Sequence, residues 1–328
     1  MDRASVESGD RALRKSIIAL GAVSALAFAS VDAAAQDTGP ATPFSSSFYI
    51  QTGVVDLLAN EIVWEGDWRL SHLIWETTAP TIVFGLNLGV HRFTIAGEFG
   101  FAFGGDSHMV DYDWLEPYVV ANGPDDWTDR SIHPDTRLGH YFFGRFALGY
   151  DVVQSTYFTV NAHVGASYTD VFWNAYGGSY VYSVGGFRDT SGDFPDGELG
   201  ISMRQQLPTI FGGVDVEADF GTWGFAMTAD VGMTIHGLMT DDHWQRDLRF
   251  FDALHMGPTL LLSARVEREF SHGVTLFAEG EFYKVFEVRS DTTIVDTTIP
   301  GPVGYYPDGG GADFRAIAFR IGLTINTP

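Results

Sequence analysis

The strongest constraint on the fold of this chain is a strict two-residue alternation that persists over long segments. In the clearest segment, residues 223–236, large apolar side chains alternate with small or polar ones. Side chains point in turn to the two faces of a β-strand. The segment therefore predicts a strand with one apolar face and one small, polar face, and segments 93–103 and 158–167 repeat the pattern.

These segments are also long. Each has ten or more residues, the length of a tilted strand that crosses a membrane, whereas strands of soluble proteins usually have about five or six. No window shows sustained helical periodicity. Further alternating segments lie at 46–58, 61–76, 80–90, 140–153, 200–219, 258–268, 274–288 and 314–326. The strand count is close to ten, and it predicts an all-β fold, an antiparallel transmembrane β-barrel.

The polar stretches between these segments fall into two classes. Short connections such as 219–221 and 270–273 are interpreted as periplasmic turns. Four long polar segments are interpreted as extracellular loops: 105–138, 174–199, 238–256 and 288–313.

The first residues have the pattern of a secretory signal. A basic segment precedes an apolar run at 17–28, which is followed by small residues at 33–35. We interpret residues 1–35 as a signal peptide, 36–45 as a flexible lead and 46–328 as the barrel domain. Export and long alternating strands together indicate the outer membrane of a bacterial cell, and the chain has no cysteine for a disulfide scaffold.

The formal net charge of −23 restricts the partners of the chain. Such a surface repels nucleic acid. It attracts cationic peptides or proteins, although an acidic surface that serves only solubility is an equally good interpretation of the composition.

Two pairs of residues with i, i+2 spacing carry the candidate chemistry. Asp111 and Asp113 form one pair, and Asp241 and His243 form the other. On an extended backbone, both members of each pair point to the same face. A histidine beside a carboxylate is a base poised near neutral pH, and two close carboxylates resist joint ionisation. If the fold brings the pairs together, they can activate a water molecule without a metal or a covalent intermediate.

Other interpretations of these residues compete with catalysis. The three aspartates with Asp242 are oxygen ligands that suit calcium, but they lack EF-hand spacing. Ser131 and His133 suggest a serine hydrolase, but no nucleophile-elbow pattern surrounds the serine and no third orienting group is evident. A non-enzymatic barrel, such as an adhesin or a porin-like protein with acidic loops, remains the alternative function.

Several motifs, in order along the chain, resemble the omptin family of outer-membrane aspartyl-type proteases. They are 109–114 (MVDYDW), 127–136 (WTDRSIHPDT), 177–182 (GGSYVY), 186–189 (GFRD), 194–198 (FPDGE) and 241–243 (DDH). The resemblance implies a ten-stranded barrel whose active site lies in a groove at the extracellular rim. It also implies an endopeptidase that cleaves between basic residues, with Asp111 and Asp113 as a catalytic couple and Asp241 and His243 as a catalytic dyad.

The resemblance also implies substrate-binding residues. Glu61 falls where the family has a glutamate that receives the basic residue before the cut, and Asp129 is expected to serve the basic residue after it. Met239 stands where the family has a second acid, which predicts a looser or altered preference before the cut.

The resemblance implies no cofactor of the usual kinds. Family members hold lipopolysaccharide with outward basic residues, and Asp170 and Gln206 stand at two of those positions, which weakens the expected lipopolysaccharide requirement. Outer-membrane lipid and cationic substrates are the expected partners, and the chain is expected to act as a monomer.

Overall fold

The computed structural model describes residues 44–271 and 273–327, and in these the chain forms strands joined by short connections. The predicted signal peptide and almost all of the flexible lead lie outside the described residues. In chain order the elements are β1 (Ser45–Glu65), β2 (Trp68–Val90), β3 (Phe93–Ala102), β4 (Asp106–Asp113), β5 (Asp129–Gln154), β6 (Phe158–Tyr176), β7 (Ser179–Tyr182), β8 (Thr190–Asp193), β9 (Leu199–Phe220), β10 (Trp223–Thr234), β11 (Gly237–His243), a 3₁₀ turn η1 (Trp244–Arg246), β12 (Leu248–Leu254), β13 (Pro258–Ser271), β14 (Val274–Asp296) and β15 (Pro302–Thr327). No helix among the described residues is long and apolar enough to cross a membrane.

Antiparallel pairing closes these strands into a barrel with ten strands at every level. The lower ring runs β1-β2-β3-β5-β6-β9-β10-β13-β14-β15 and returns to β1. In the upper ring, β4 takes the place of β3, while β11 and β12 take the places of β10 and β13. β7 and β8 extend the upper edge beside β5. The predicted all-β fold and its strand number are confirmed.

The two faces of the strands are as the alternation predicts. Along β10, the side chains of Trp223, Phe225 and Met227 are exposed on the outside, whereas Asp230 and Thr234 are buried inside. A closed barrel with an apolar outer band and a polar interior has the surface that a lipid bilayer requires.

The strand limits correct several predictions. The turn between the first two strands lies at 66–67, inside the predicted segment 61–76, and β2 continues through Pro80. On one edge, β2 pairs first with β4 and then with β3, and Pro80 lies in the short gap between these two ladders. The missing N–H of proline therefore costs no ladder hydrogen bond on this edge. Pro208 in β9 lies in the same way opposite the break between β10 and β11.

The predicted long loops are also shorter than the polar segments indicated. Strands β4, β7, β8, β11 and β12 and parts of their neighbours occupy much of them. The physical reason is that the upper ring has fewer large apolar side chains on its outer face, so its alternation is weak in the sequence. The longest remaining connection at this end is 114–128.

The hydrophobic core lies inside the barrel, directly below the candidate site. Trp75 and Trp173 pack together there with ring centroids 6.2 Å apart, and both are fully buried. The indole of Trp173 donates a hydrogen bond of 2.7 Å to the hydroxyl of Thr77. Met109 and Met203 are also fully buried. This core, here called the floor, lies between the candidate site and the polar side chains that line the lower lumen.

Replacing Trp173 with alanine is expected to lower the free energy of unfolding by about 3 to 5 kcal/mol, because it opens a cavity in this floor. Guanidinium unfolding of the folded barrel in detergent measures the change. Trp68→Ala is the control, since Trp68 is 37% exposed at the upper end, and it is expected to cost less than half as much. Equal losses for the two variants would contradict the packed floor.

Candidate active site

Asp111 and Asp113 lie on β4, the upper-ring strand between β2 and β5. Asp111 is beside Leu73 and Ser131 in the ladders, and Asp113 is beside Ser71 and Asp129. Both carboxylates are partly buried on the inner face. The hydroxyl of Ser71 donates a 3.1 Å hydrogen bond to Oδ1 of Asp111, so the couple is held from the neighbouring strand.

The end of β4 is fixed by backbone hydrogen bonds. The N–H of Trp114 donates to the carbonyl of Leu70 at 2.8 Å, and the N–H of Thr128 donates to the carbonyl of Asp113 at 2.7 Å. The loop 114–128 is thereby tied on both sides of the couple, which fixes the position of Asp113.

Asp241 and His243 lie on β11, between β9 and β12. Nε2 of His243 is 2.6 Å from Oδ2 of Asp241, which is fully buried. The imidazole is not aligned for an in-line hydrogen bond with this carboxylate. Its other nitrogen, Nδ1, points away from Asp241 and contacts the guanidinium of Arg246 in the turn after β11. The histidine therefore has one nitrogen beside a carboxylate and one beside a guanidinium.

The upper ring places these two pairs on facing walls. Three strands, β5, β6 and β9, separate β4 from β11 on one side, and five strands separate them on the other. The charge of Asp241 is among the influences that raise the pKa of Asp111. The structure thus brings together the four residues that the sequence selected.

Burial of the couple changes its protonation. Desolvation raises the pKa of Asp111 to about 7, although the hydrogen bond from Ser71 and the charge of Arg246 oppose the shift. Desolvation and the charge of Asp111 raise the pKa of Asp113 well above its usual value. At neutral pH the couple therefore retains at least one proton.

The predicted substrate-binding residues lie around the same cavity. Glu61 is level with Asp111, because both are beside Leu73 in successive ladders. Glu61 is buried, and desolvation together with the charge of Asp241 raises its pKa well above the usual value. Met239 is buried two residues before Asp241 on the same inward face.

Asp129 lies at the start of β5, beside Asp113. Its Oδ1 accepts a 2.9 Å hydrogen bond from the N–H of Ser183. The charge of Asp129 also raises the pKa of Asp113. Asp129 thus both orders the loop after β7 and adds negative charge to the couple's side of the cavity.

Ser131 and His133 form an internal support rather than an exposed nucleophile. Nδ1 of His133 donates to the carbonyl of Gly177 at 2.6 Å, and the hydroxyl of Ser131 donates to Nε2 at 3.0 Å. The sequence indicated no third group, and the structure supplies this backbone carbonyl. Both side chains are buried. Their hydrogen bonds join β5 to the Gly177 turn, which supports the wall that carries Asp111.

The calcium interpretation is not supported by the geometry. Asp242 points away from the cavity, and its Oδ1 accepts a 2.5 Å hydrogen bond from Nε of Arg249. Within the described part of the chain, the group close enough for a metal is His255, Asp291 and Asp308, which is separate from the candidate site.

Asp170 and Gln206 lie on neighbouring strands β6 and β9. Asp170 accepts hydrogen bonds of 2.9 Å and 2.6 Å from Arg204 and one of 3.1 Å from His140. Gln206 donates to the hydroxyl of Tyr168 at 2.6 Å. The acidic side chain at position 170 is therefore neutralised by its neighbours.

Sequence reasoning missed three residues that contact the site. Ser71 and Arg246 contact Asp111 and His243, and Asp252 contributes to the raised pKa of Glu61. Ser71 and Asp252 depend on cross-strand register, which no local pattern reveals. Arg246 follows His243 by three residues in a turn, and that spacing alone has no catalytic signature.

The protonated couple leads to a stability prediction. The folded pKa of Asp111, about 7, lies above the unfolded value of about 3.9. Between about pH 4 and pH 7 the folded state therefore binds more protons than the unfolded chain, and stability falls as the pH rises through this range. Asp111→Asn removes the free-energy cost of ionising this buried acid. The variant is expected to be more stable than the wild type by roughly 1 to 3 kcal/mol at pH 8, and its stability at pH 4 is expected to change little.

Guanidinium unfolding in detergent at the two pH values measures this effect. The matched control is Asp135→Asn, because Asp135 is exposed and pairs with Arg137 on the surface. A variant of Asp111 that is less stable than the wild type at pH 8 would contradict the raised pKa.

Comparison with known proteins places this geometry in a family. The sequence model of the omptin family matches residues 42–326. The chain is 25% identical over 298 residues to the outer membrane protease OmpP of Escherichia coli, covering 87% of this chain and 90% of that protein. It is 22% identical over 326 residues to the plasminogen activator of Yersinia pestis, covering 95% of this chain and 99% of that protein.

Similarity to a solved structure agrees with this match. The crystal structure of the outer membrane protease OmpT from Escherichia coli has a TM-score of 0.81 at 20% identity, covering 89% of this chain and 99% of that one. At this identity the likeness shows the fold, and the family follows from the match over nearly the whole described chain. The chain belongs to the omptin family.

Proposed function

We propose that this outer-membrane protein is an endopeptidase that hydrolyses peptide bonds at or between basic residues. The observation that carries the proposal is the placement of an Asp-His pair and an Asp-Asp couple on facing walls of one cavity. The family and its relatives named as outer membrane proteases support this assignment. The upper end, with the longer connections, is proposed to face the outside of the cell.

In the proposed mechanism, His243 is the general base. A guanidinium can only donate, so Nδ1, which contacts Arg246, is the unprotonated nitrogen, and the proton of the neutral ring belongs on Nε2, 2.6 Å from Oδ2 of Asp241. When a substrate enters, a water molecule replaces Arg246 at Nδ1 and loses a proton to the ring. Asp241 then stabilises the imidazolium that forms.

The couple of Asp111 and Asp113, on the wall that faces His243, supplies the acid. Because Asp111 and Asp113 retain at least one proton at neutral pH, they can hold the attacking water with one carboxylate and donate a hydrogen bond to the developing oxyanion with the other. Ser71 holds Asp111 in position for this role. The hydroxyl group of water adds to the peptide carbonyl to give a tetrahedral intermediate, whose C–N bond then breaks as His243 returns its proton to the leaving amine. No covalent enzyme intermediate is required.

The charge around the cavity favours a cationic substrate. Glu61 and Asp129 lie on either side of the couple in the β-ladders, and the whole chain carries a formal charge of −23. Negative potential concentrated in a cleft raises the rate at which cationic peptides arrive.

His243→Ala and Asp111→Asn are expected to lower kcat by about 10² to 10⁴-fold, the usual contribution of a general acid or base. A quenched peptide that contains Arg-Arg or Lys-Arg, incubated with the folded protein in detergent, measures this. Asp242→Asn is the matched control, since Asp242 pairs with Arg249 away from the cavity, and its kcat is expected to stay near the wild-type value.

Two results would contradict the proposal. Absence of cleavage by the wild type would favour the non-enzymatic barrel. Cleavage undiminished in both variants would show that hydrolysis occurs elsewhere.

The couple also predicts a pH dependence. As the pH falls through about 7, Asp111 takes up a proton, and the couple loses the carboxylate that holds the water, so kcat/KM is expected to fall. Ser71→Ala removes the hydrogen bond that lowers the pKa of Asp111, so the acidic limb of the profile is expected to move to higher pH. Kinetics between pH 5 and pH 9 test this, and a limb that moves to lower pH would contradict it.

A further inference from the structure

Three inward side chains form a row across neighbouring strands of the upper ring. Met239 on β11 is directly beside Gln205 on β9 and directly beside Asp252 on β12. All three are buried. The neighbour of Asp252 along the strand, Phe251, is exposed on the outside, so Asp252 points into the barrel.

This row lies opposite Glu61 on β1. Nε2 of Gln205 donates a 3.1 Å hydrogen bond to the carbonyl of Asn60, the residue before Glu61, and contacts Sδ of Met239 at 3.6 Å. The charge of Asp252 is among the influences that raise the pKa of Glu61. Glu61, Gln205 and Asp252 therefore line one recess beside Asp241.

Two hydrogen-bond acceptors in the recess have no donor. Oε2 of Glu61 and Oε1 of Gln205 are buried and have no hydrogen-bond partner among the described residues. Asp252 is held in place, because its Oδ1 accepts hydrogen bonds from Ser290, at 3.0 Å, and from Thr292. A buried acid is normally protonated or paired with a cation, and a cation that enters the recess favours the ionised form.

We infer that Asp252 is the second acid of the pocket for the basic side chain before the cleaved bond, acting with Glu61 and with Gln205 as a neutral acceptor. This inference rests on the proposed peptidase activity. Position 239 has a methionine where the family has an acid. The residue paired with Met239 on the adjacent strand, Asp252, is an acid. The prediction of a looser preference from Met239 is therefore replaced by a preference for Arg or Lys.

The arrangement of Met239, Gln205 and Asp252 suits the side chain of Arg or Lys. A guanidinium presents five donors in a plane and can satisfy several acceptors at once. The thioether of Met239, between Gln205 and Asp252, offers an apolar surface to the aliphatic stem of Arg or Lys. A Lys ammonium has three donors and fits the same acceptors less completely, so Arg is expected to be preferred over Lys.

The test uses peptides that differ only in the residue before the cut: Arg, Lys or norleucine. For the wild type, kcat/KM is expected to be highest for Arg. In Asp252→Asn, kcat/KM for the Arg peptide is expected to fall at least about 30-fold, as for loss of one partner of a buried charge pair, and kcat/KM for the norleucine peptide is expected to change little. The matched control is Asp296→Asn, a partly exposed acid at the end of β14 beside Leu248 of β12, which is expected to retain the wild-type ratios.

A second variant tests whether the position of the charge explains the effect. Met239→Asp with Asp252→Asn returns one acid to the row, and it is expected to recover most of the Arg preference. If Asp252→Asn cleaves none of the peptides, this double variant decides: recovery of Arg cleavage supports the inference, and no recovery overturns it.

Three other outcomes have distinct meanings. A wild type without preference for Arg over norleucine overturns the inference, as does an Asp252→Asn variant with the wild-type ratio. In both cases cleavage itself persists and the proposed peptidase activity stands. A wild type that cleaves none of the three peptides contradicts the peptidase activity itself.

Discussion

Closure of the hydrogen-bonded ring is the constraint on which the rest of the structure depends. Every strand of the lower ring has a partner on both sides, and the ladder between β1 and β15 leaves no free edge. Closure fixes the register, and the register assigns each side chain to the lipid face or to the interior. The same registers then place Glu61, Asp111 and Asp241 around one cavity.

The interior of the barrel holds several acidic side chains close together. The lipid-facing surface could not do so. Desolvation raises the pKa of Asp111, Glu61 and Asp252, and the charge of Asp241 raises the pKa of all three further. The floor below, built around Trp75 and Trp173, adds apolar side chains on one side of these acids, which weakens their solvation. Burial of these acids lowers the stability of the fold. In return, the acids retain protons near neutral pH, as expected of acid-base sites.

Much of the fold followed from the sequence, because a period of two over ten or more residues has few structural solutions. The lipid-facing alternation of β10 identified that strand almost to its ends. The upper strands were missed, since β4 and β11 carry polar side chains and lie outside the long apolar runs. Their alternation has no strong hydrophobic signal to reveal it.

The candidate site was predictable only where its residues are close in sequence. The pairs Asp111-Asp113 and Asp241-His243 show their geometry through i, i+2 spacing alone. Ser71 is 40 residues from Asp111, and Asp252 lies on a different strand from Glu61, so only the ladders bring these residues near. For the same reason, Met239 read alone suggested a missing charge, although its cross-strand partner is the acid Asp252.

Interruptions in the strands have a mechanical consequence. Seven strands run unbroken from the lower ring into the upper ring, whereas the other three positions break at 103–105, 235–236 and 255–257. The broken positions include both that carry the candidate catalytic pairs, on β4 and β11. Both strands remain tied by ladders to unbroken neighbours, β4 to β2 and β5, and β11 to β9. The positions of the four residues therefore depend on the lower ring through the strands that the two rings share.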